Sequence, residues 1–228
     1  MRLIEAQRTR PVREGGKPVG APGRTLQDGE MPFLTSPVLT AGTLASRPQP
    51  ALPADGGLLL RPWRAGDAPA VYEVFQDPLM HRWHARAADS VDEVGAWIRE
   101  WHQAWDGEQA AHWAVADADS DTLLGRVALR ELRLYDGTAE MAYWTVPAAR
   151  GRGVAARATT ALTNWALDEA GFHRLELLHA LPNEASCRVA TRTGFALEGT
   201  KRSAVLHPDG WHDMHLHARI GTRTSLPS

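Results

Sequence analysis

The sequence predicts a mixed α/β domain, on three observations. Three segments of strand-like alternation follow one another between residues 112 and 146, joined by short polar turns, and neighbours of that kind pair antiparallel. After Pro147 the apolar spacing lengthens to that of a helix and then returns to a strand, and a strand, helix, strand unit demands a parallel crossover. The 228 residues hold 43% apolar and 23% charged side chains, a balance that suits one domain with a core and excludes wholesale disorder.

Residues 1–56 are rich in Gly, Pro, Arg, Thr and Ser and sustain no period, so they read as a poorly ordered extension, basic over its first 24 residues. The regular pattern starts at 57 and runs to 221, and residues 222–228 read as a disordered tail. Leu58 to Pro62 forms a strand that ends at a proline unable to donate to a ladder. Asp67 is placed to cap a helix carrying Val71, Val74 and Phe75, which Asp77-Pro78 stops. Ser90-Val91-Asp92-Glu93 is a capping box for a helix through about Trp105, with Trp97, Trp101 and Trp105 on one face. Strands follow at His112–Ala116, Leu123–Leu132 and Ala139–Val146. Val154, Ala158, Leu162 and Trp165 mark a helix that Gly171 closes. His173–Leu181 is a strand with Leu175, Leu177 and His179 on one face, Asn183 opens a helix that Gly194 closes, and Phe195–Gly199 and Trp211–Ile220 form the last hairpin.

Composition narrows the function classes. A formal net charge of −2 carries no footprint for duplex nucleic acid. The single cysteine, Cys187, excludes an internal disulfide framework and any multi-thiolate zinc site within the chain. No apolar run reaches membrane-spanning length and no secretory h-region is present, so the expected location is cytoplasmic.

The segment from Val146 to Ala155 carries most of the chemistry. Its glycines clear side chains from the point where a helix begins, so backbone N–H groups without intrahelical partners can face one anion, and Arg150 and Arg152 add charged donors. A phosphate group is expected there. A P-loop is excluded, because the only lysines, Lys17 and Lys201, do not follow a glycine. Gly151-Arg152-Gly153-Val154-Ala155-Ala156 fits a loose dinucleotide fingerprint, but the next strand ends without a carboxylate for a ribose.

The region from about Leu58 to Ile220 resembles the GNAT superfamily of acyl-CoA-dependent N-acyltransferases. Arg150, Gly153 and Ala155 match that family's phosphate-binding signature. Asn183, Ser186, Gly194 and Phe195 match a second signature, typical of the branch with ribosomal-protein N-terminal acetyltransferases. The resemblance implies a mostly antiparallel, six- to seven-stranded splayed sheet with helices on both faces. It also implies acetyl-CoA as co-substrate, with pantetheine pairing to backbone at Trp144, Thr145 and Val146 in the gap between two parted strands. The diphosphate is then expected on Arg150, Gly151, Arg152, Gly153, Val154 and Ala155, with Asn183 and Ser186 nearby.

On that reading the chain is an N-acetyltransferase acting on a primary amine, either a protein N-terminus or a small amine, by direct attack in a ternary complex. Glu140 is the candidate base, Ser186 the candidate proton donor to the coenzyme A sulfur, and Asn183 a partner for pantetheine or an ordered water. Family members often carry a tyrosine where this chain has Ala190, which adds weight to Ser186. Trp83, His84, Trp101 and His217 are candidates for the acceptor wall. Metal ligation by His212, His215 and His217 together is not expected, since His212 lies on the opposite face of its strand. The mildly acidic domain favours a cationic acceptor. The expected partner is the amine alone, with no nucleic acid and no membrane, and a homodimer is compatible with the sequence. Two other readings stay open: a non-catalytic acyl-CoA sensor, and a transferase of longer acyl chains.

Overall fold

The computed structural model describes residues 34–84 and 86–222. Eight strands form one sheet in the order β1-β2-β3-β4-β5-β6-β8-β7, built from β1 (Leu52–Ala54), β2 (Leu58–Pro62), β3 (Ala111–Asp117), β4 (Leu123–Arg133), β5 (Thr138–Thr145), β6 (Arg174–Ala180), β7 (Ala196–His207) and β8 (Gly210–Ile220). All neighbours run antiparallel except β5 and β6. The parallel pair is the one the crossover predicts. The helices are α1 (Ala68–Val74), α2 (Pro78–Trp83), α3 (Val91–Asp106), α4 (Val154–Asn164) and α5 (Glu184–Arg192).

Alternation along the strands sends side chains to two cores. Ala111, Trp113 and Val115 of β3 join Val154, Ala158 and Leu162 of α4, whereas Ala114 and Trp144 join Val71, Val94 and Ile98 of α1 and α3. Helices therefore cover both faces. The tryptophan row of α3 divides between them: Trp97 packs in the second core and Trp105 in the first, on Trp113 and Trp165. Beyond Asn164, α4 continues as one wider π-helical turn, Trp165–Ala170, to Gly171 at φ 89°.

Three expectations need correction. Packing begins well before residue 57: Leu39 and Leu44 are buried, and β1 pairs with β2. Glu108 accepts from the amides of Gly42, Leu44 and Ala45, and the indoles of Trp105 and Trp113 donate to the Arg47 and Pro50 carbonyls. This segment is held by partners distant in sequence, which is why no local period announces it. Residues 1–33 and 223–228 lie outside the described part. Asp67 does not cap α1 with its side chain; its carboxylate accepts from Arg61 at 2.9 Å and from the Arg64 amide at 2.8 Å. Strand β7 extends to His207, eight residues past the expected Gly199, because its partner β8 reaches back to Gly210.

Candidate active site

The sheet splays where the resemblance implies it. β5 and β6 pair from Thr138/Arg174 to Met141/Leu177, and past that point β5 continues to Thr145 bonded only to β4, among the described residues. Val146 donates its amide to the Leu124 carbonyl at 3.0 Å and accepts from the Ala149 amide. By antiparallel alternation Trp144 also turns its backbone toward β4, so Tyr143 and Thr145 present theirs to the gap. Of the three residues expected to pair with pantetheine, Thr145 is the one so oriented; Trp144 and Val146 are committed to the ladder.

Beside the gap lies the glycine turn. Gly151 and Gly153 sit at φ 74° and 76°, in the left-handed region that glycine alone occupies without strain, and a Cβ added to either meets nothing within 4 Å among the described residues. The first bond of the α4 ladder runs from the Arg157 amide to the Gly153 carbonyl at 3.1 Å, so the amides of Val154, Ala155 and Ala156 precede it. Arg150 is bound to Asp77 at the start of α2, which joins this turn to the opposite wall. Arg152 is exposed.

A cavity of about 380 Å³ runs over this turn and is lined by Thr145, Arg150, Gly151, Gly153, Val154 and Ala155, among others. A second cavity of about 750 Å³ opens on the other side of the splay and includes Trp101, Glu140 and His112. Five residues line both: Trp83, His84, Tyr143, Asn183 and Ser186. Candidates named for donor, acceptor and chemistry thus meet at one junction. Asn183 is the N-cap of α5, its side chain accepting from the Ser186 amide at 3.1 Å.

Charges in the larger cavity are mixed. Glu140 pairs with Arg130, and Arg86 and Arg126 share the wall with Glu100 and Glu131, so the acidic balance of the domain does not carry into the cavity. Trp101 stacks on His112 with ring centroids 5.4 Å apart, and Arg126 lies over the Trp101 ring. Burial, helped by Arg126 and Arg130, holds the His84 imidazole down at about 4, so it is neutral near pH 7.

Tyr143 was missed by the sequence reading. Its hydroxyl donates to the Ser186 carbonyl at 3.4 Å, and burial pushes its pKa up to about 12, which keeps the proton in place. No sequence signal singles it out, because its place depends on β5 leaving β6 after Met141. His217 is a correction: it lies 2% exposed beneath the sheet end, its Nδ1 against the Phe195 carbonyl, and it is absent from the lining of the larger cavity among the described residues.

Residues 57–196 match the family described as Acetyltransferase (GNAT) domain. The ribosomal-protein-serine acetyltransferase of Escherichia coli (strain K12) is 31% identical over 100 residues, 44% of this chain and 56% of that enzyme, so the match spans little more than half the relative's length. Among solved structures, a RimL ribosomal alpha-N-protein acetyltransferase in complex with coenzyme A superposes with a TM-score of 0.70 at 20% identity, covering 75% of this chain and 98% of that one. A putative ribosomal-protein-serine acetyltransferase from Vibrio cholerae gives 0.67 at 23% identity, covering 76% and 98%. Identities this low speak for the fold. Among the described residues no helix is long and apolar enough to cross a membrane.

Proposed function

The chain belongs to the GNAT acetyltransferase family, and from that premise we propose that it moves an acetyl group from acetyl-CoA to a primary amine in a ternary complex. The observation that carries this reading is the meeting of two cavities at Tyr143, Asn183 and Ser186, one floored by the glycine turn and the other by Glu140. The turn fits the donor: its left-handed glycines leave open space where a side chain would otherwise stand, over three amides that precede the helical ladder.

When bound, acetyl-CoA supplies the activated thioester carbonyl, at which the C–N bond forms and the C–S bond breaks. The amides of Val154, Ala155 and Ala156 hold the diphosphate, and the free backbone edge at Tyr143 and Thr145 aligns the pantetheine arm. Glu140, directly or through one water, takes the proton the amine must lose. Ser186, with the Tyr143 hydroxyl beside it, gives a proton to the departing sulfur. Trp83, His84 and Trp101 orient the acceptor and exclude water. A protein N-terminal amine is the favoured acceptor, since the E. coli relative is named for a ribosomal protein and the larger cavity is roomy enough for a chain end.

Thiol release from acetyl-CoA, followed over a panel of small amines and N-terminal peptides, tests the reading. Amine-dependent release is expected, and Glu140→Gln should lower kcat by about 100-fold while leaving coenzyme A affinity within twofold. Binding of coenzyme A with no release above hydrolysis for any amine would overturn it in favour of a sensor.

A further inference from the structure

Away from the glycine turn, four side chains that the proposed chemistry does not use converge under the end of the splay. His179 comes from β6, His215 and His217 from β8, and Cys187 from α5, and one ligand atom of each lies within 4.8 Å of all the others. The sheet register makes this meeting: His179 pairs with His215, Leu177 with His217, and Cys187 follows Ser186 on the helix laid over that face. His179 and His217 are 3% and 2% exposed.

The hydrogen bonds fix which nitrogens are bare. His179 Nδ1 lies 2.9 Å from the Ala180 carbonyl and His217 Nδ1 lies 3.3 Å from the Phe195 carbonyl. A carbonyl only accepts, so in the neutral form of either ring Nδ1 carries the hydrogen and Nε2 carries a lone pair. Those two Nε2 atoms face each other at 3.2 Å. Two bare lone pairs at that distance repel unless a proton or a cation stands between them. The third ring adds a further unsatisfied group, since His215 Nδ1 is buried without a hydrogen-bond partner among the described residues.

We propose that His179, His215, His217 and Cys187 form a closed four-ligand site for a zinc-like divalent cation that pins α5 to β6 and β8. Three imidazoles and one thiolate form a tetrahedral nitrogen and sulfur set of the kind Zn²⁺ takes. Zn–N bonds of about 2.0–2.1 Å imply nitrogen separations of about 3.4 Å, and the observed His179–His217 contact of 3.2 Å already matches that edge. The remaining ligand atoms, all within 4.8 Å of one another, close toward that edge by side-chain rotation. The ring N–H groups donated to carbonyls supply the outer support that ligating histidines ordinarily have. Four protein ligands leave no open position, so the ion is structural. Its binding displaces the Cys187 thiol proton to solvent. By holding α5, it fixes Asn183 and Ser186 at the junction of the two cavities.

The full chain, stripped with a chelator and dialysed, is titrated with Zn²⁺ and with Co²⁺ as a spectroscopic probe. One equivalent of Zn²⁺ is expected to bind more tightly than about 0.1 µM, the weak end for structural zinc. Co²⁺ should show tetrahedral d–d bands with a thiolate charge-transfer band. Cys187→Ala, a small change at a half-buried position, should abolish that band and weaken Zn²⁺ by more than about 100-fold, and His215→Ala should weaken it comparably while leaving the thiolate band. A stripped chain that binds no Zn²⁺, or whose binding survives Cys187→Ala and is lost in His212→Ala at the β7–β8 tip, overturns the proposal. Circular dichroism of each variant shows that it folds, so a loss of metal is read on a folded chain.

Discussion

Placing a methyl group at position 153 separates the two demands made on the glycine turn. Gly153 is at φ 76°, where an L-residue pays about 1–2 kcal/mol, and the added Cβ meets no atom of the described residues within 4 Å. Stability should therefore fall by that strain alone, which for a domain of this size is a Tm decrease of about 2–8 °C. None of the described residues is pushed aside, so a ligand arriving from outside is what would feel the methyl. If the diphosphate sits on the amides of Val154 to Ala156, loss of one charge-assisted bond of about 1.5–3 kcal/mol weakens coenzyme A by about 10- to 100-fold. Gly153→Asn is the matching control, because asparagine tolerates the left-handed region yet still fills the cradle. Calorimetric titration with coenzyme A and thermal melts of parent, Gly153→Ala and Gly153→Asn read the two effects independently. Affinity within twofold of the parent in both variants, beside the expected Tm loss in Gly153→Ala, would refute the assignment of the phosphate site.

Two further outcomes follow from the junction. Burial together with Arg126 and Arg130 keeps His84 at about 4 and depresses His112 as well. Both rings are neutral when folded and take up protons near pH 6.5 when unfolded, so their stability contribution is complete above about pH 6.5 and declines toward pH 4, by up to about 1.4 kcal/mol per pH unit for each ring. Urea titrations at stepped pH should show that slope, and His84→Gln should flatten it; an unchanged slope in that variant contradicts the burial argument. Ser186→Ala should lower kcat by about 100-fold with coenzyme A binding within a few-fold, whereas Tyr143→Phe, losing a long hydrogen bond, should cost under about 1 kcal/mol of stability. Full kcat in Ser186→Ala, with the loss appearing in Tyr143→Phe, would transfer the proton-donor role to the tyrosine.

Local chemistry was legible in the chain itself. The glycines at 151 and 153 announce a left-handed turn before a helix, Asn183 announces an N-cap, and the change of period after Pro147 announces the crossover, because each depends on residues within a few positions of one another. Those signals were enough for the mixed α/β class and for the glycine turn proposed to hold the cofactor. What only the tertiary structure decided depends on partners far apart in sequence. The segment 36–56 is held by Glu108, Trp105 and Trp113. The cavities join at Tyr143 because β5 parts from β6 after Met141, and His217 moves from the acceptor wall to a buried cluster because β8 pairs with β6. Register across a sheet is set by packing and long-range hydrogen bonds, and a pattern read along one strand carries no information about the strand beside it.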